Sequence, residues 1–516
     1  MADLLTLAEA VATHARLQPT RLAVRDSRRS LTYAAWHARN ETLAAALRGL
    51  GLPSGARVGV LAYNCLEWME IYAGLARAGL VVVPLNFRLT APEIGYILEH
   101  AEVSALIAGE EFLQIAEAVR GELGLTAGHC IALADSVPAG WIGYENLMRS
   151  APAPLAEPPP DARSVAALMY TSGTTGRPKG AIRSHGANAL IAWATIMEMG
   201  FTAADTALLV MPLCHANSLY FATTFTHLGG TCVIEDRRSF DPEALLRTLA
   251  EDRVTFTSLV PTHYIMLLAL PDAVKQRHDL RAVDRLMISS APARQDTKRD
   301  IMQLFPNGRL YELYGSTEAG WVTLLRPDEQ LRKLGSVGRE WAGSAAIRLL
   351  DAERREVADG EVGELYSRTA YAFDGYWKNP EKTAEAFADG WCSVGDMARR
   401  DDEGYLWLVD RKSNMIISGG ENVYPTEVEG VLGAHPAVRD CAVIGVPHDK
   451  WGETPYAVVV LHDGQTASDT ELREWCRARL AAYKCPSGVD FITDSAMPRT
   501  ATGKIQHRVL RTRYAG

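Results

Sequence analysis

Short apolar runs alternate with amphipathic stretches of helical length through most of the chain. Arg57-Val58-Gly59-Val60-Leu61, Leu80-Val81-Val82-Val83-Pro84 and Ser104-Ala105-Leu106-Ile107-Ala108 are strand-like. Helical spacing fills the gaps, opening at Asn64 and near Ala91-Pro92-Glu93. Upstream, Ser30-Leu31-Thr32-Tyr33 supplies N-cap residues for an amphipathic helix reaching about Leu50. After a proline- and acid-rich connection at 151–163, strands are expected near 165–169, 207–212, 231–235, 254–260 and 284–289. Helices near 184–199, 241–252 and 261–270 separate them. Such alternation predicts parallel, doubly wound sheets in two similar α/β layers packed together.

Beyond about Arg326 glycines and short β-like runs take over, including Ala345-Ala346-Ile347-Arg348-Leu349-Leu350, Gly363-Glu364-Leu365-Tyr366-Ser367 and Tyr405-Leu406-Trp407-Leu408-Val409. A small β-rich, barrel-like subdomain is expected over 327–412. From Ser413 a compact α+β unit follows, with helices near 425–433 and 470–482 and strands near 438–446, 455–461 and 489–493. The expected fold class is α/β. An N-terminal domain spans 1–412, with two doubly wound subdomains and the small β subdomain, and a C-terminal α+β domain spans 413–516.

Composition narrows the picture without changing it. At 516 residues, 47% hydrophobic and 22% charged, the chain is ordinary globular material for about two to four domains or subdomains. A net charge of −9 argues against nucleic acid as a partner. Eight cysteines occur with no C-x-x-C pair, which points to reduced thiols and a cytoplasmic location. Neither a signal peptide nor an integral membrane segment is expected, since no apolar run approaches about 18–20 residues. A homodimer is the one assembly considered, although sequence does not fix oligomeric state.

Candidate chemistry begins at Tyr170-Thr171-Ser172-Gly173-Thr174-Thr175-Gly176-Arg177-Pro178-Lys179-Gly180. Hydroxyls donate hydrogen bonds, glycines admit close backbone approach, and Lys179 adds positive charge, so the stretch suits a polyphosphate. A P-loop is excluded, because its lysine directly follows the last glycine. A solvated linker is the bland alternative. Further on, Tyr311-Glu312-Leu313-Tyr314-Gly315-Ser316-Thr317-Glu318-Ala319 presents an aromatic ring, a hydroxyl and a carboxylate at a strand end. Asp396 follows Ser393-Val394-Gly395, and Asp410-Arg411 comes shortly after. Asp396 and Arg411 suit either ribose hydroxyls or a structural ion pair. Near the C-terminus stands Pro498-Arg499-Thr500-Ala501-Thr502-Gly503-Lys504-Ile505.

In order and spacing these four blocks resemble the adenylate-forming superfamily of acyl-CoA synthetases, luciferases and peptide-synthetase adenylation domains, over essentially the whole chain. The resemblance implies ATP bound by Thr171, Ser172, Gly173, Thr174, Thr175 and Lys179, with Ala291, Glu312, Tyr314 and Gly315 on the adenine side. It also implies Thr317 at the AMP phosphate, Glu318 as Mg²⁺ ligand, and Asp396 and Arg411 at the ribose. Lys504 is implied as the catalytic lysine of a mobile C-terminal domain, set between the acid's carboxylate and ATP.

The stretch Ile417-Ser418-Gly419-Gly420-Glu421-Asn422-Val423-Tyr424-Pro425 resembles the acyl- and aryl-CoA synthetase branch. By that resemblance Gly419, Gly420 and Trp451 line a CoA pantetheine tunnel, and Lys484 meets the CoA nucleotide. A core tryptophan is the alternative at Trp451. Ser413 occupies the position of the domain hinge. His215 is implied as a gate between the carboxylate and thiol sites. Trp193, His215, Asn217, Leu219 and Leu313 are candidate acyl-pocket walls. No arginine is evident there, which favours a fatty or aromatic acid over a dicarboxylate. The expectation is an AMP-forming acyl-CoA synthetase of fatty-acid or aromatic-acid metabolism, using ATP, Mg²⁺ and CoA and alternating its domains between half-reactions. A stand-alone adenylating enzyme and a nucleotide-binding regulatory protein remain as alternatives.

Overall fold

The computed structural model describes residues 6–171, 178–289, 293–418, 421–500 and 503–514, the side chain of Ala127 excepted. They form two compact units: residues 1–346 with 367–392, and residues 347–366 with 393–516.

The larger unit holds two sheets. The nine-stranded sheet has the order Arg339–Glu340, Gly320–Leu325, Arg309–Ser316, Arg285–Ser289, Phe256–Leu259, Thr206–Leu209, Thr231–Ile234, Leu22–Arg25, Ser30–Thr32. Its middle is parallel and its ends are antiparallel. The seven-stranded sheet has the order Ile142–Gly143, Cys130–Leu133, Val103–Gly109, Arg57–Leu61, Val81–Pro84, Val165–Thr171, Lys179–Ser184. Its last pair is antiparallel and the others are parallel. Val81–Pro84 is buried at every position, as a strand covered on both faces should be. One apolar core runs through both sheets. It includes Val58 and Val60 from one, Ala207 and Leu209 from the other, and Trp36, Trp68 and Phe221 from the packed helices.

The expected α/β layers are present, with two differences in how the chain fills them. Leu22–Arg25 lies in the nine-stranded sheet, parallel to Thr231–Ile234, with Val24 opposite Cys232. Its apolar core is only Leu22-Ala23-Val24 between two arginines, too short for a periodic signal. Likewise, Lys179–Ser184 is a strand antiparallel to Val165–Thr171, pairing Tyr170 with Gly180. The glycine-rich segment therefore joins two strands of one hairpin, and the helix His185–Met199 starts only afterwards. Ser184 Oγ caps that helix by accepting from Ala187 N–H at 3.3 Å. Thr32 caps the helix Tyr33–Gly49 in the same way, at 3.3 Å from Ala35 N.

The smaller unit contains an open antiparallel sheet of Arg348–Leu350, Val362–Tyr366, Asp396–Arg400 and Leu406–Arg411. A second sheet is built on the long hairpin of Val438–His448 with Gly452–Leu461, extended by Ile416–Ser418, Glu421–Val423 and Val489–Phe491. Helices Pro425–Gly433 and Asp469–Arg477 cover a core that includes Leu432, Val443, Val459 and Leu472. Among the described residues no helix is long and apolar enough to cross a membrane.

Candidate active site

Val165–Thr171 ends at Thr171, and the hairpin between Arg309–Ser316 and Gly320–Leu325 ends at 317–319. These two ends meet. Glu318 Oε1 accepts from Thr171 Oγ1 at 3.0 Å and from the Tyr376 hydroxyl at 2.9 Å. Glu318 is buried, and among the described residues its Oε2 has no partner. Lys179 Nζ lies 4.2 Å from the centroid of the Tyr376 ring. A hard divalent cation takes oxygen donors and, as Mg²⁺, keeps waters and phosphate oxygens around one or two carboxylates. A fixed carboxylate with one uncommitted oxygen fits that demand.

The turn carrying Glu318 is held from several sides. Tyr220 donates its hydroxyl proton to the Thr317 carbonyl at 3.1 Å, and Phe373 N–H donates to the Glu318 carbonyl at 2.7 Å. Thr369 Oγ1 donates to the Ala319 carbonyl at 3.2 Å. Gly320 has φ 73°, and a β-carbon there would sit 2.7 Å from the Tyr371 ring, so glycine is required twice over. Arg183, fully buried, donates to the Tyr371 carbonyl at 2.8 Å and lies 5.1 Å from the Tyr220 ring centroid. Nothing in the local sequence singles out Tyr220, Arg183 or Tyr376. The one legible hint is the run Tyr371, Phe373, Tyr376, Trp377, too aromatic for an ordinary loop.

At the C-terminal edge of the nine-stranded sheet, His215 precedes the helix Ala216–Leu228. Burial pushes its imidazole down to about 4, with nearby Arg88 acting in the same direction, so it is neutral at pH 7. Its Nε2 has no partner among the described residues. Arg88, which follows the strand Val81–Pro84, adds to the effect of burial on both His215 and His263. Asn217 lies on the same edge and bonds to Ser289, whose register partner is Leu313. Leu219 and Trp193 face elsewhere. Leu219 lines a small cavity of about 30 Å³ with His185, Asn188, Thr223 and His227. Trp193, 42% exposed, packs edge-on against His227. Helical rotation of about 100° per residue explains the split between positions 217 and 219.

Glu312 points to the opposite side of its strand from Leu313. Its carboxylate forms an ion pair at 2.5 Å with Lys298, whose side chain is 0% exposed. Burial raises the Glu312 pKa, and Lys298 opposes that shift.

In the smaller unit Asp396 and Arg411 stand directly opposite each other on paired strands, with Arg411 Nε donating to Asp396 Oδ1 at 3.1 Å. Lys504 sits on a tight turn closed by Thr500 N–H to the Lys504 carbonyl at 2.7 Å and by Gly503 N–H to the Thr500 carbonyl at 2.9 Å. Loss of hydration lowers the Lys504 ammonium below its ordinary value, Arg411 adds to the shift, and Asp396 opposes it. Lys504 is itself exposed, and Arg411 and Asp396 are the charged groups that act on it. Trp451 is 45% exposed, with Lys450 Nζ 4.4 Å from its ring centroid, and so is not a core tryptophan. Lys484 holds both oxygens of Glu427, at 2.7 and 2.8 Å. Ser413 carries a backbone carbonyl that accepts from Arg511 Nη1 at 3.2 Å. Ser172, Gly173, Thr174, Thr175, Ala291, Gly419 and Gly420 lie outside the described residues.

The sequence matches the AMP-binding enzyme family over residues 11–377 and the AMP-binding enzyme C-terminal domain over 427–504. The chain belongs to the AMP-binding enzyme family. It is similar to a feruloyl-CoA synthase from Amycolatopsis sp, 38% identical over 509 residues, covering 97% of each chain. It is also 35% identical to an indoleacetate–CoA ligase from Aromatoleum aromaticum over 503 residues, 97% of this chain and 96% of the relative. Among solved structures, the anthranilate CoA ligase AuaEII in complex with anthranoyl-AMP superposes with a TM-score of 0.87 at 28% identity, covering 100% and 98% of the two chains. As a member of this family, the protein is an AMP-forming acid–thiol ligase of the adenylate-forming superfamily, and ATP, Mg²⁺ and CoA are its co-substrates and cofactor.

Proposed function

We propose that this AMP-binding enzyme joins a fatty or aromatic monocarboxylate to CoA through an acyl-AMP intermediate. The observation that carries the proposal is the fixed Glu318 carboxylate, set beside Thr171 at the head of a segment built for polyphosphate. Mg²⁺ held by Glu318 supplies charge stabilisation to phosphate oxygens. Lys179 offers positive charge to the outer phosphates and Tyr314 an aromatic face to adenine. Thr317 reaches the AMP phosphate. Asp396 accepts from ribose hydroxyls, with Arg411 orienting it from the facing strand. Lys504 lies between the attacking carboxylate and the α-phosphate and offsets the repulsion of two anions. Neutral His215 separates the acid from the thiol route, and Trp451, exposed, is available to the pantetheine arm.

A hinge at Ser413, dividing residues 1–412 from 413–516, lets Lys504 leave after adenylation and Gly419, Gly420 and Trp451 take its place. Lys484 is assigned to the CoA nucleotide, which requires its pair with Glu427 to open. The relatives named for aromatic acids support the aromatic end of the substrate range. A cytoplasmic location is consistent with eight cysteines that are all unpaired. The expected homodimer is not supported, and the proposal needs none. The test is pyrophosphate release across a panel of carboxylic acids, with and without CoA, followed by mass analysis of thioesters. Acid-dependent pyrophosphate and a CoA thioester are expected. Acyl-AMP that never passes to CoA would overturn the proposal.

A further inference from the structure

Given the ligase reading above, we propose that the acid carries a hydroxyl group besides its carboxylate, recognised by Asn217, Ser258 and Ser289. Ser258 and Ser289 lie at the C-terminal ends of adjacent parallel strands, Phe256–Leu259 and Arg285–Ser289. Asn217 lies in the first turn of the helix Ala216–Leu228, two residues after His215. Ligands of open α/β sheets bind outside the carboxyl ends of the strands, which is where these three side chains gather. Leu313, opposite Ser289 in register, lies one strand away and two residues before Gly315.

The three side chains bond to one another. Asn217 Nδ2 donates to Ser289 Oγ at 3.1 Å and to Ser258 Oγ at 3.3 Å, and the two serine oxygens are 3.3 Å apart. Both amide protons and one hydroxyl proton are thereby used. One hydroxyl proton and the amide oxygen Oδ1 are left over. Among the described residues none of the three side chains has a further partner. Ser258 and Ser289 are 5% and 4% exposed, while Asn217 is half-buried.

One donor and one acceptor left over on the same cluster are the complement of an alcohol or phenol, which accepts one bond and donates another. A methylene leaves both groups unsatisfied. A second carboxylate accepts but cannot donate to Oδ1, and an ammonium donates but cannot accept. Sites that hydrogen-bond a substrate hydroxyl reject the analogue lacking it, because their own buried polar groups are stranded.

The test compares kcat/KM for matched acids: p-hydroxycinnamate with cinnamate, p-hydroxyphenylacetate with phenylacetate, and ω-hydroxy fatty acids with their parents. The pairs separate phenols from alcohols. In at least one pair the hydroxylated acid is expected to be favoured by about tenfold or more. Ser258→Ala and Ser289→Ala are each expected to shrink that ratio, and thermal melts report whether each variant folds. Two separate substitutions keep one misfolded variant from deciding the result. Turnover with no hydroxyl preference in any pair, or a ratio unmoved in both variants, overturns the inference alone. No turnover with any acid overturns the ligase reading and the inference together.

Discussion

Thr171 Oγ1 donates to Glu318 Oε1 at 3.0 Å, tying the last residue of a seven-stranded-sheet strand to a hairpin tip of the nine-stranded sheet. Tyr376 donates to the same oxygen, which leaves Oε2 directed to other work. Glu318→Gln is expected to lower acid-dependent pyrophosphate release by about a hundredfold, since it removes the anionic oxygen while keeping the shape. Tyr376→Phe keeps the carboxylate but frees it to swing. Its expected signature is a roughly tenfold rise in the Mg²⁺ concentration needed for half-maximal release, one hydrogen bond to a charged group being worth about 1.5–3 kcal/mol.

Lys504 is the second test. A unit-charge pair about 4 Å apart is worth about 4 kcal/mol at an effective dielectric near 20, or roughly a thousandfold in rate if felt only in the transition state. Lys504→Ala is expected to slow acyl-AMP formation by about that factor. Thioester formation from supplied acyl-AMP should fall by less than about tenfold, because that step does not bring carboxylate and phosphate together. Unimpaired acyl-AMP formation would remove Lys504 from the reaction.

Ser413→Pro fixes one backbone torsion at the expected hinge. Adenylation should survive largely intact while thioester formation is depressed. Stopped-flow measurement of each half-reaction separates the two, and equal loss in both would sink the hinge assignment.

The Lys298–Glu312 pair predicts a stability pattern. Lys298→Met leaves a carboxylate buried without its partner, at an expected cost of about 3–5 kcal/mol. Because hydrophobic replacement of a whole buried pair is often neutral, Lys298→Met with Glu312→Leu should recover most of that loss. Urea denaturation of the single and double variants reads both numbers.

His507 predicts a pH dependence. Burial lowers its pKa, but the 2.6 Å contact with Glu429 outweighs burial and raises the folded value above the ordinary one. A raised folded pKa means the pair's contribution is fully present below the unfolded value near 6.5 and is lost as pH rises through the folded value. The melting-temperature gap between the parent and His507→Gln should therefore be widest below about pH 6.5 and narrow as pH rises above it.

Much of the architecture could be read from local pattern, because buried parallel strands are continuous apolar runs and their helices carry the complementary spacing. Val81–Pro84 and Arg285–Ser289 stood out for that reason. Leu22–Arg25 and Lys179–Ser184 did not: one is too short to show a period, and the other pairs through a loop whose composition reads as coil. The site divides the same way. Thr171, Tyr314, Glu318, Asp396, Arg411 and Lys504 lie in motifs whose residue types advertise chemistry. Tyr220, Arg183, Arg88 and Tyr376 act through positions that only the folded chain brings together. The Asn217–Ser258–Ser289 cluster draws one residue from each of three elements, none unusual where it stands.

Leu22–Arg25 sits between Thr231–Ile234 and Ser30–Thr32, so the nine-stranded sheet is completed by the start of the chain. The proline-rich connection at 151–163 looks like a natural place to divide the gene, yet neither fragment would be self-sufficient. The downstream piece would expose a bare strand edge, and the upstream piece would carry a two-stranded ribbon with nothing to pair. Split versions of this enzyme should work only by reassembly. A ribosome that has finished the seven-stranded sheet still holds a segment that must wait for residue 234 before it can be placed.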